Sequence, residues 1–92
     1  MDAAYWEDLA GRLYGLLIRL DNRLDGEQAE LFHEFIEAGE YGLALEEIAG
    51  ALAQDTIAIT DDERGDMLAL ADRMKMDDLV PHALGFCPQA RS

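Results

Sequence analysis

Cysteine is almost absent from this sequence. Cys87 stands alone, so no intramolecular disulfide can form and the core must hold without a covalent staple. Such usage suits a reducing compartment, and the cytoplasm is the expected location. Proline is nearly as scarce, with Pro81 and Pro88 only, and half of the residues are apolar, a balance that buries a core and excludes a disordered chain. Long apolar runs are missing too. The most apolar stretch, Tyr14 to Leu20, is short and bordered by Arg12 and Arg19, while Met1-Asp2-Ala3-Ala4 lacks a basic leader region. Neither a signal peptide nor a membrane span is expected.

The scarcity that says most is of positive charge. Twenty acidic residues face seven basic ones, a formal net charge of −13, which disfavours binding to nucleic acid or to an anionic membrane. From Leu24 to Glu63 there is no Lys or Arg at all, against twelve Asp and Glu. The partner that such a surface fits is basic.

What is present is helical periodicity in a chain of 92 residues, the size of one domain. From Tyr5 to Leu24, residues Leu9, Leu13, Leu16, Leu17, Leu20 and Leu24 recur at three and four and lay one stripe along a first helix. Asp25-Gly26 ends it, with Gly26 read as the residue just past the helix end. A second helix, about Glu27 to Ala38, sets Leu31, Phe32, Phe35 and Ile36 against an opposite face of Glu27, Glu30, Glu34 and Glu37. Gly39 stops it, and a third helix resumes near Tyr41 with Leu43, Leu45, Ile48, Ala49 and Leu52. The segment Asp55 to Ile59 reads as an extended connector whose isoleucines plug the core. Thr60-Asp61-Asp62-Glu63 is a capping box that opens a fourth helix through Met67, Leu70 and Met74, with Arg73 and Lys75 in its last turn. Asp78 to Leu84 allows a short fifth helix, and residues 85–92 are expected to be a flexible tail. No repeat of 20 to 50 residues is present. The predicted fold is a small all-α bundle of four helices with a short fifth, in a single domain over residues 1–92.

Catalytic machinery is hard to assemble from these residues. The only serine is Ser92, and neither it nor Cys87 lies in a pattern with His33 or His82 that an acyl-transfer triad would need. Glu30-x-x-His33 has the spacing of carboxylate-bridged metal sites in bundles, but such sites need a second copy and two more glutamates. The run Asp61-Asp62-Glu63 lacks the alternating ligands and central glycine of an EF-hand: counted from Asp55, position six is Thr60. No enzyme, metal or cofactor is expected. Gly11-x-x-x-Gly15 is read as the close approach of a neighbouring helix.

The remaining feature is the corner Gly39-Glu40-Tyr41-Gly42, where a helix-forming sequence interrupts itself and resumes at once. Gly39 and Gly42 would let the two helices fold back, presenting Glu37, Glu40 and Tyr41 beside the stripe of Glu30 and Glu34, with Glu46 and Glu47 extending the acidic surface. An aromatic rimmed by charge is a common interface anchor. A solvated acidic face with a purely structural corner explains the same residues, and both readings stand at this point. An alternative function is an adaptor or regulatory module that takes a partner helix against Met67, Met74 and Met76.

The stretch "FIEAGEYGLALEEIAGALAQDTIAITDDERGDMLALADRM" resembles the MafI-type immunity proteins of bacterial polymorphic toxin systems, over about residues 31 to 76. The resemblance implies a small cytoplasmic bacterial protein of contact-dependent inhibition. Such a protein binds and neutralises a cognate toxin domain, often a nuclease, delivered by a neighbouring cell. It implies no catalysis. A nuclease presents a basic cleft to phosphates, so an acidic inhibitor fits it on charge alone. A monomer or weak homodimer is expected, with Glu30, Glu34, Glu37, Glu40, Tyr41, Glu46 and Glu47 as the contact residues.

Overall fold

The computed structural model describes residues 3–91, which fold as five α-helices and no strand. They are α1 (Ala3–Leu20), α2 (Gly26–Glu37), α3 (Tyr41–Gln54), α4 (Asp61–Arg73) and the single-turn α5 (Leu79–Leu84). All six leucines of the predicted stripe are buried, and they meet Phe32 and Ile36 of α2, Leu45, Ile48 and Leu52 of α3, and Met67 and Leu70 of α4 in one core. The helix α5 packs chiefly on α3, where Val80 and Leu84 close the far side of that core. Leu31 and Leu43, assigned to the buried faces from their spacing, are instead exposed, because each sits at the edge of its helix's apolar arc.

Helix ends differ from the sequence reading in an instructive way. Helix α1 stops at Leu20 and tightens into a 3-10 turn over Asp21–Arg23, not into a glycine stop. Gly26 opens α2 instead. The stop signal was misread because Asp25 is an N-cap: its carboxylate accepts from the Glu27 amide at 2.8 Å, while its own amide donates to Gln28 Oε1 at 3.2 Å. Gly39, by contrast, has φ +79°. The amides of Gly39 and Glu40 donate back to the carbonyls of Ile36 and Phe35, the pair of hydrogen bonds that closes a helix ending on a residue of left-handed φ. Gly42 lies inside α3 without positive φ, so the corner is made by Gly39 alone.

The same terminus recurs twice with worse residues. Thr56 (φ 47°) ends α3 and Lys75 (φ 53°) ends α4, each followed by an amide that reaches back to Leu52 or Ala71. Lys75 therefore lies beyond α4 and not in its last turn. The residues that follow, Ile57 and Met76, pack against the core, which is the hydrophobic contact that accompanies this motif.

Two further expectations need correction. The segment 85–91 is anchored, not frayed: Ile59 donates to the Pro88 carbonyl at 2.9 Å and accepts from the Ala90 amide at 2.7 Å, forming an isolated parallel bridge with Gln89. Cys87 is buried there, and Arg64 donates to the carbonyls of Leu84 (2.7 Å) and Cys87 (2.9 Å). The connector thus finds its backbone partner in the very residues that the two breakers marked as tail, as an isolated bridge and not a strand. Ser92 lies outside the described residues. Second, the ideal Cβ positions of Gly11 and Gly15 meet nothing within 4 Å, so no helix approaches closely there. Gly15 instead lines an open groove between α1 and α4.

Candidate functional site

Of the seven basic residues, Arg12, Arg19, Arg23 and Arg73 are held in ion pairs with carboxylates of this chain, and Arg64 is held by backbone carbonyls. Glu63, only 2% exposed, takes both Arg23 guanidinium nitrogens, one at 2.8 Å. That guanidinium also donates to the carbonyls of Ala58 and Arg19. The Arg23 hydrogen bonds, followed by the Thr60 amide and the field of Arg19, hold the Glu63 carboxyl below the usual range against the opposing effect of burial. Arg19 turns to Asp66 at 2.9 Å and towards Glu63. Arg12 and Arg73 share Asp8, at 3.0 and 2.7 Å, and Arg73 first, then Arg12, lowers its pKa. Every one of these pairs involves α1, its 3-10 turn or α4.

The α2 and α3 side has no such compensation. Glu30, Glu34 and Glu37 are exposed along α2 and line one depression of about 460 Å³ with Ala29 and His33. Glu37 meets His33 Nδ1 at 2.8 Å, a pairing that is ionic only when the imidazole is protonated. Among the described residues Glu30, Glu34, Glu40, Glu46 and Glu47 have no ion-pair partner. The structure therefore brings Glu30, Glu34 and Glu37 together. It sets Glu40 and Tyr41 in a neighbouring cleft, and leaves Glu46, half-buried, and Glu47, exposed, on α3 outside both.

Tyr41 is not the protruding anchor that its position at the corner suggested. Its ring is half-buried and stacks on Trp6 with centroids 5.8 Å apart and planes at 27°, while Tyr5 meets Trp6 edge-on at 5.0 Å. These three rings, with Met74, Met76 and Leu43, form the apolar wall of a cleft of about 860 Å³, rimmed by Glu40, Arg73 and Lys75. Tyr5 fixes its far end: the hydroxyl donates to the Arg73 carbonyl at 3.0 Å, and the Arg73 guanidinium lies 5.2 Å from the Tyr5 ring centroid. Met67, in contrast, is fully buried in the core. Periodicity assigns Trp6 and Tyr5 no site role, because they fall outside the leucine stripe. The one available signal was that lapse of register in two large aromatics at the start of a helix.

Burial pushes the Cys87 thiol up despite Arg64, which leaves it a poor nucleophile. Among the described residues no group of three or more His, Cys, Asp or Glu is arranged to hold a metal ion, and no helix is long and apolar enough to cross a membrane. No protein-family model, curated protein or solved structure matches the chain.

Proposed function

We propose that this protein is an immunity-type inhibitor, which binds a cognate bacterial toxin domain with a basic surface and neutralises it by contact, without catalysis, in the cytoplasm. The observation that carries this reading is the division of charge: Arg12, Arg19, Arg23 and Arg73 are held in ion pairs on α1, its 3-10 turn and α4, while among the described residues no Lys or Arg pairs with the carboxylates of α2 or the start of α3, where Glu37 alone has a partner, His33. Unpaired like charges on one face are mildly destabilising to the protein alone, so their contribution comes when a basic surface meets them. The resemblance of residues 31–76 to MafI-type immunity proteins supports the same reading, and a nuclease is the toxin class whose own chemistry demands a basic cleft. The test is co-expression with candidate toxin domains taken from the reading frames that neighbour the gene of this chain. Protection of the cells and a stable complex are expected, and a toxin that kills unhindered in the presence of folded protein would contradict it.

A second reading, an adaptor that seats a partner helix, is favoured by one observation, the placement of Met74 and Met76 beside Trp6 and Tyr41 in a single cleft. Salt separates the two. An apolar cleft contact keeps its affinity at high ionic strength, whereas the acidic face loses it.

A further inference from the structure

Between α1 and α2 runs a groove of about 480 Å³, walled by Tyr14, Leu17 and Ile18 on one side and Ala29 and His33 on the other, with Asp21 at its margin. Ile18 is 77% exposed, the most exposed of the large apolar side chains among the described residues. A lone exposed isoleucine would need no explanation. This one lines a concave surface, and the groove shares Ala29 and His33 with the depression of Glu30, Glu34 and Glu37. The His33 ring packs on Tyr14 at 4.8 Å and its Nδ1 holds Glu37, so apolar trough and carboxylates form one continuous surface with His33 between them. The arginines of α1 and its 3-10 turn have partners outside it. Arg19, beside Ile18, is held by Asp66 and Glu63, Arg12 by Asp8 and Arg23 by Glu63.

We propose that this groove is the apolar centre of the partner-binding surface, and that its occupant is a basic amphipathic helix of the partner. One large apolar side chain of that helix seats against Ile18, Leu17 and Tyr14, while its Lys or Arg side chains reach Asp21, Glu30 and Glu34. The inference rests on the reading above that the acidic face meets a basic protein. Charge selects the occupant: an acidic or neutral segment gains nothing from the carboxylate margin, and among the described residues no Lys or Arg pairs with Asp21, Glu30 or Glu34. Shape selects a helix, because a trough between two helices accepts the ridge of a third. An apolar centre with a charged rim is also the general plan of a specific interface.

The probe is a short synthetic helical peptide with a leucine stripe flanked by lysines, titrated into isotope-labelled protein and followed by amide chemical shifts. Saturable shifts centred on Leu17, Ile18, Ala29 and His33 are expected. Ile18→Asn, which should keep the fold because the position is exposed and is checked for it by circular dichroism, should weaken binding about tenfold, the scale of removing one buried apolar anchor. Glutamine in place of the peptide leucines should do the same, and glutamate in place of its lysines should abolish binding. Shifts centred on Trp6 and Tyr41, unaltered binding by Ile18→Asn, or no saturable shift would overturn the groove. Against the toxin domain itself, loss of binding in both Ile18→Asn and Glu34→Lys/Glu37→Lys supports the groove. Loss in the charge-reversed protein alone overturns it and leaves the immunity function standing.

Discussion

At the scale of single residues, the pair of Arg23 and Glu63 is the most consequential feature that the capping box only hinted at. Thr60-x-x-Glu63 announced a helix start, yet Glu63 serves twice, accepting the Thr60 amide at 2.8 Å and the Arg23 guanidinium. The second role was invisible because it depends on the 3-10 turn that brings Arg23 across the fold. Glu63→Gln keeps the shape and removes the charge, and should cost about 2 kcal/mol at neutral pH, within the range for hydrogen bonds to charged groups. Because the folded-state pKa is lowered, the stabilisation is fully present above the unfolded value of 4.5 and is lost as pH falls through the folded value. The stability gap between the wild type and Glu63→Gln, measured by urea denaturation, should therefore be constant above roughly pH 6 and shrink below pH 4.5. A gap independent of pH would show that Glu63 is not charged in the fold. Thr56 and Lys75 carry the opposite opportunity. Each holds a left-handed φ, so Thr56→Gly should stabilise by about 0.5 to 1 kcal/mol, visible as a higher melting temperature.

At the scale of elements, the legible parts were those written in local periodicity. The leucine stripe of α1 and the alternation of apolar and acidic faces on α2 need only 100° per residue to be read, and the structure buries the stripe in full. What escaped were contacts between segments distant in sequence. The bridge between Ile59 and Gln89 and the stacking of Trp6 on Tyr41 leave no periodic trace. The anchoring of 85–91 is checked by hydrogen exchange: the Ala90 amide, bonded to Ile59, should exchange at least about tenfold more slowly than a free amide. Exchange at the free rate would return the segment to a frayed tail. Gly11-x-x-x-Gly15 was misread for a related reason, since small residues permit a close helix contact without requiring one. With open space at both Cβ positions, Gly11→Ala should stabilise α1 by about 0.5 to 1 kcal/mol. Destabilisation would mean that something does approach there.

At the scale of the whole molecule, the net charge of −13 matters less than where it is left unbalanced. Composition alone made a basic partner the natural expectation and allowed a solvated acidic face to explain the same residues equally well. The proposed function takes the former, and what supports it is that Arg12, Arg19, Arg23 and Arg73 are held in pairs on α1, its 3-10 turn and α4, away from the α2 carboxylates. Of the predicted contact residues, Glu30, Glu34 and Glu37 share one surface, Glu40 and Tyr41 line the adjoining cleft, and Glu46 and Glu47 stand apart. The central claim is that the α2 carboxylates meet a basic toxin surface. The most direct measurement is the affinity of Glu34→Lys/Glu37→Lys for the toxin domain that the wild-type protein neutralises in co-expression, taken across a series of salt concentrations. Both side chains are exposed, so the fold should be retained. Association should slow, affinity should fall by about tenfold or more, and the salt dependence of the wild-type complex should flatten. A folded variant that binds as tightly as the wild type at every salt concentration would contradict the claim.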